Sequence, residues 1–328
     1  MLRFFAKRFG NMILSLFVIS IVSFIVIQLP PGDFLTTYIA QLTTAGATVD
    51  NAEIASLNSQ FGLDQSIYVQ YYKWVSGIVL RGDFGYSFNY RRQVVDLLDE
   101  RMGYSLILAF ASMILVYVVA LPIGAYSAIK QYSIADYVVT LIGFFGLALP
   151  SFLFALVMMY ISNKYLGISV GGLFSPKYEM APWSMGRVLD FLAHLWIPMV
   201  VVGLSGTASL IRVMRATMLD ELSQPYVETA RAKGLSEFRL ILKYPVRLAV
   251  SPFISTIGWT LPNLISDTAI AAIVLSIPTV GPLLLTSLLS QDMYLAGSII
   301  IILSAMTVVG TFISDLLLAW LDPRIRYE

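Results

Sequence analysis

Six times along its 328 residues this chain holds an apolar run close to the length of a bilayer crossing, and few folds survive that constraint. A helix needs about 20 apolar residues to cross the hydrocarbon core. The runs fall near residues 9–29, 104–127, 136–162, 194–214, 249–275 and 295–320. In lipid every backbone N–H and C=O must bond within the protein, which an apolar helix does by itself. The chain is 58% hydrophobic and 12% charged, against roughly 25% charged residues in a soluble domain. The expected class is an all-α integral membrane protein with six transmembrane helices.

The first run follows Arg3, Lys7 and Arg8, as a secretory leader would. Its apolar stretch, Asn11 to Pro30, is longer than a leader's core, and no small-x-small cleavage site follows it. It reads as an uncleaved anchor, residues 1–30. Basic residues then orient the bundle: Lys130, Arg215, Arg231, Lys233, Arg239, Lys243 and Arg247 share a side with both termini, while the two shorter loops opposite hold Lys164, Lys177 and Arg187. Lys and Arg accumulate in cytoplasmic loops, so both termini and the 215–248 loop are expected in the cytoplasm. Residues 104–328 form the five-helix core that carries this loop.

Residues 31–103 are too patterned for a linker. Ile67, Tyr71, Trp74, Val75 and Ile78 recur at helical spacing, and Leu97, Leu98 and Met102 continue a second periodic stretch. Gly82-Asp83-Phe84-Gly85 is a turn between them. A small helical lobe on the outer face of the bundle is expected.

The 215–248 loop has its own punctuation. Pro225 suits the first turn of a helix, and Gly234 sits where a left-handed residue commonly ends one. Ser236 is placed to cap a second short helix that stops at Pro245. Two short helices between spans make a rigid knob that a soluble partner could grip. The pattern Glu228-x-Ala230-x-x-x-Gly234, with Pro245 downstream, resembles the cytoplasmic coupling loop of ABC-importer permease subunits. Tyr226, Glu228, Ala230, Lys233, Gly234 and Pro245 are the candidate ATPase-coupling residues.

Further motifs extend the likeness in order along the chain. Pro30-Pro31-Gly32-Asp33, Gly62-Leu63-Asp64, Arg81-Gly82-Asp83-Phe84-Gly85-Tyr86-Ser87, Pro150-Ser151-Phe152, Pro278, Gly281 and Leu321-Asp322-Pro323-Arg324-Ile325-Arg326 resemble the dipeptide/oligopeptide branch of these permeases. The resemblance implies a type I ABC importer permease fold in a bacterial inner membrane. It also implies partners: a second homologous permease, two ATP-binding cassette subunits and an extracytoplasmic solute-binding protein, with membrane lipid around them. Peptide is the favoured cargo, although similar machinery moves oligosaccharides, glycosides, opines and nickel.

One departure stands out. Many relatives place Ser-Gly in the fifth span with Glu some residues later; this chain has Ser266-Asp267-Thr268 and then Ala272. A span starting near Leu248 would put Asp267 about 28 Å along it, toward the outer end. A carboxylate inside a span costs at least about 2.5–3.5 kcal/mol and usually faces a cavity or a partner. Asp267 and Thr268 are therefore candidate pathway residues. The alternative is a helix cap near the interface. Asp136, Asp315 and His194 read as residues of helix ends and interfaces.

Several functions are excluded or weakened. A net charge of +1 gives no field that would attract nucleic acid. No Gly-x-x-x-x-Gly-Lys-Ser/Thr loop, His-Glu-x-x-His or Gly-x-Ser-x-Gly motif is present. There is no Cys and a single His, so multi-His and thiolate metal sites are out. The expectation is a non-catalytic subunit with no cofactor of its own, ATP and Mg²⁺ being bound by the partner ATPases. A stand-alone secondary transporter would show repeated halves, and the 226–245 region has no repeat.

Overall fold

Helix dominates because most segments are long apolar stretches free of polar interruptions. The computed structural model describes residues 2–28, 65–87, 89–167, 171–267 and 269–321. Thr268 lies outside the described residues, as do the Pro30–Asp33 and Gly62–Asp64 motifs and the tail from Asp322. The helices are α1 (Leu2–Gln28), α2 (Ile67–Arg81), α3 (Val94–Ile129), α4 (Ile134–Ala148), α5 (Ser151–Ile161) and α6 (Met185–Leu222). They continue with α7 (Pro225–Ala232), α8 (Glu237–Lys243), α9 (Pro245–Ala249), α10 (Ser251–Ser266), α11 (Ala269–Val274), α12 (Val280–Leu289) and α13 (Met293–Leu321). A two-stranded antiparallel hairpin, β1 (Tyr86–Ser87) with β2 (Arg92–Gln93), precedes α3.

Among the described residues α1, α3, α6 and α13 are each long and apolar enough to cross a membrane, and two bent helix pairs raise the number to six. The expected straight span over 136–162 is instead α4 and α5 meeting at 106°. Pro150 explains the break. It has no N–H to continue the helix and drives the preceding residue out of the helical region, and Leu149 is extended at φ −81°, ψ 120°. Pro122, Pro198 and Pro262, by contrast, lie within continuous helices. The expected span over 249–275 is also interrupted: α10 ends at Ser266 and α11 starts at Ala269.

The second periodic stretch of the outer lobe belongs to α3, which runs unbroken through residues 103 and 104. The described part of the lobe is thus α2, the hairpin and the N-terminal end of α3. It is fastened to the bundle at several points. Tyr71 Oη lies 2.7 Å from Ser20 Oγ of α1, and Trp74 packs with Phe24 and Tyr294. The buried Asp292 carboxylate, just before α13, accepts from Ser87 Oγ at 2.5 Å and from the Asn89 N–H at 3.2 Å.

Helix α3 packs most extensively on α6, and α10 on α13. The second crossing is close because glycine meets glycine: a Cβ on Gly258 would stand 2.3 Å from the Thr311 nitrogen, and one on Gly310 would stand 2.7 Å from Gly258 Cα. Small residues allow such approach where lipid supplies no hydrophobic drive between helices. The outward faces of α1 and α4 are largely apolar. Phe5, Ile13, Leu14 and Phe17 of α1 and Ile142, Phe144 and Phe145 of α4 are exposed, as lipid-facing side chains would be.

Candidate functional site: a coupling knob and a polar helix stripe

The knob forms where the sequence places it. Pro225 opens α7, and Gly234 adopts φ +78° just beyond it. The Gly234 N–H donates to the Arg231 carbonyl at 3.0 Å and the Lys233 N–H to Thr229 at 3.1 Å, satisfying the end of the helix. Ser236 takes the extended conformation of a cap, but its side chain makes no capping hydrogen bond, contrary to expectation. Pro245 is a second correction: besides ending α8 it starts α9, the turn that leads back into α10.

Val227, Ala230 and Leu240 are buried between α7 and α8, with Tyr226, Leu235, Ile241 and Tyr244 packed around them. Tyr226 Oη donates to the Glu221 carboxylate at the end of α6. Burial and then that carboxylate push the phenol well above its ordinary pKa, so it stays a neutral donor. Arg231 clamps Glu237 across the two helices through Nε at 2.6 Å and Nη2 at 3.2 Å. The Arg231 hydrogen bond holds the Glu237 carboxyl below its usual value. The small stabilisation from this exposed pair is therefore present at neutral pH and fades as pH falls through that lowered value.

The candidate residues divide by position. Ala230 and Pro245 are buried and Tyr226 is half-buried, so they build the knob; Glu228, Lys233 and Gly234 are exposed and form its surface. Sequence reading alone misses Phe238 and Leu242, which are 74% and 52% exposed one turn apart on α8. Their signal in the sequence is weak, because Leu240 and Ile241 between them are apolar too and serve the knob's own core. The knob is joined firmly to the bundle: Ala249 and Phe253 pack with Met214 and Met218 of α6 and Ala120 and Ala128 of α3.

Asp136, by sequence an ordinary helix-end residue, proves to be a junction. It is 3% exposed and receives Arg215 Nε and Nη2, each at 2.8 Å. Ser127 Oγ and the Tyr132 N–H also donate to it. The ends of α3, α4 and α6 are thereby held together beside the coupling loop. Asp315 pairs with Arg8 at 2.9 Å, joining α13 to α1. His194 lies within α6 with Nδ1 2.8 Å from the Asp190 carbonyl.

Asp267 stands at the C-terminal end of α10, exposed, with its N–H bonded to the Asn263 carbonyl at 2.8 Å. It is not alone. Ser255, Trp259, Asn263 and Asp267 recur every fourth residue and are all exposed, so one edge of α10 presents a mostly polar stripe. The structure brings Asp267 to a helix break and does not bring it near the knob residues.

These features coincide with what the chain resembles. Residues 120–327 match the family described as binding-protein-dependent transport system inner membrane component, and residues 1–109 match its N-terminal companion. The oligopeptide transport system permease protein AppB of Bacillus subtilis is 33% identical over 94% of both chains. OppB of Haemophilus influenzae, also an oligopeptide permease, is 30% identical over the whole of both, and the dipeptide permease DppB of Escherichia coli is 26% identical over the whole of both. An inward-facing structure of the MetNI methionine ABC transporter shares the fold, with a TM-score of 0.55 over 70% of this chain and 97% of that one at 15% identity. The chain is a member of the binding-protein-dependent transport family, the non-catalytic, multi-pass permease subunits of ABC importers.

Proposed function

We propose that this chain forms half of the translocation pathway of an ATP-driven peptide importer. The observation that carries the reading is the knob: a two-helix unit with its own core, an exposed face of Glu228, Lys233, Phe238 and Leu242, and a base packed into α3, α6 and α10. A partner that moves this face must move the spans attached to it. Two ATPase subunits, which bind ATP and Mg²⁺, grip this knob and its counterpart on a second homologous permease. Their closure rocks the permease pair between inward-open and outward-open states, a switch between discrete packings. A binding protein delivers cargo at the lobe side. Both termini and the knob face the cytoplasm.

The names of the relatives favour a peptide cargo. The α10 stripe supports a path for polar solute, because Ser255, Asn263 and Asp267 are exposed along one edge of that helix. Asp267, with Thr268 beside it, would meet polar groups of the cargo. The test is uptake of a labelled dipeptide into proteoliposomes holding the permease pair and ATPases. Uptake should require ATP and the binding protein together; uptake by this chain alone, without ATP, would overturn the proposal in favour of a secondary transporter.

A further inference from the structure

Helices α4 and α6 run antiparallel with a legible register. Asp136 meets Arg215 at one end, and Gly146 meets Ala208 and Leu204 deeper in, where a Cβ on Gly146 would stand 3.2 Å from Ala208 Cβ. Between these two contacts the helices leave a groove of about 240 Å³. Gly143 creates much of the room, since a Cβ there would meet nothing within 4 Å. Leu147, Ala208 and Ile211 continue the apolar wall, and Thr140 and Arg212 stand at the end nearer the coupling loop.

Arg212 is the unusual member. It lies one turn inward from Arg215, is exposed, and makes no hydrogen bond or ion pair among the described residues. Asp136 on the facing helix α4 is already taken by Arg215 in a two-pronged pair. A free guanidinium inside a span needs an anion or water, and long basic side chains reach for the interface to find one. The polarity of the groove is ordered: cation and hydroxyl at the membrane-surface end, unbroken apolar lining inward. Beside it Ile142, Phe144 and Phe145 face outward, 62%, 59% and 61% exposed, which suits hydrocarbon and not water.

We propose that this groove is a binding site for an anionic phospholipid of the leaflet that meets the coupling loop. The lipid phosphate sits against Arg212 with Thr140 Oγ1 as a second donor, and one acyl chain lies along Gly143, Ala208 and Leu147. Basic pockets between spans bind anionic headgroups through this chemistry. Because the lipid would touch α4 and α6 next to the Asp136–Arg215 junction, it would brace the spans that carry the knob.

The experiment uses the full permease complex in nanodiscs containing phosphatidylglycerol or phosphatidylcholine with a photoreactive group on one acyl chain. Labelled peptides should map to 139–147 and 208–216. Phosphatidylglycerol should label about fivefold better than phosphatidylcholine, the effect of one favourable basic contact near the surface. Arg212→Gln should abolish that preference, while Gly143→Leu, which fills the groove, should lower labelling by both lipids. Equal labelling by the two lipids in the unmodified protein, or labelling indifferent to Gly143→Leu, overturns the site without relying on the arginine variant. Because the chain has no Cys, Gly143→Cys gives a single reactive position. Its cross-linking to the second permease would show that a protein helix occupies the groove, and the lipid proposal would fall.

Discussion

Replacing Asp136 by Asn keeps its volume and removes the charge that Arg215 needs. Truncating one partner of a buried ion pair typically costs about 3–5 kcal/mol, whereas replacing both by apolar residues costs far less. Asp136→Asn should therefore lower the melting temperature of the purified complex markedly, and Asp136→Leu combined with Arg215→Leu should recover most of the loss. Additive effects of the two substitutions would mean that the pair is not coupled. Asp267 poses the opposite case, being exposed and, among the described residues, bonded through its backbone alone. Asp267→Asn should leave the amount of folded protein unchanged and reduce uptake or alter cargo preference, about tenfold for a contact worth about 1.4 kcal/mol. A fall in protein level with normal specific uptake would assign the residue a structural role.

At the scale of elements, the knob depends on one backbone conformation. Gly234 at φ +78° lies where β-branched residues are strained, by roughly 1–2 kcal/mol. Gly234→Val should disturb the turn between α7 and α8, and Glu228→Arg should reverse the charge at one exposed position without touching the core. Both variants should insert normally yet hydrolyse ATP without proportional uptake; normal coupling in both would remove the knob from the mechanism. This element is legible in the amino-acid sequence because its signals are local: a Pro that opens a helix, and a Gly that ends one. The Asp136–Arg215 junction is not, since its partners are 79 residues apart and only the α4–α6 register brings them together. Pro150 signals an interruption, but the 106° bend depends on how α5 packs against α6 and α11. The break after Ser266 has no such signal, as Pro262 four residues earlier is accommodated within α10.

For the whole molecule, the apolar runs make the class legible, because it follows from the solvent that surrounds the chain, and the Lys/Arg asymmetry predicts an orientation with both termini in the cytoplasm. A reporter active only in the cytoplasm should work when fused after Glu328 or within residues 216–224, and fail within residues 45–60; the reverse pattern would invert the bundle. What composition does not convey is which exposed surfaces meet lipid, a second permease, an ATPase or cargo, since an apolar face looks alike in each case. Phe238 and Leu242 illustrate the point, for only their position on α8 of the knob sets their exposure apart from that of a lipid-facing side chain. The absence of Cys allows the central claim to be tested at single positions. Glu228→Cys and Phe238→Cys, each in the assembled complex, should cross-link through a short bifunctional reagent to an ATPase subunit, while Tyr68→Cys on the outer lobe should not. Cross-linking of Tyr68→Cys to the ATPase, with none at 228 or 238, would contradict the account of this chain as a permease driven through its coupling knob.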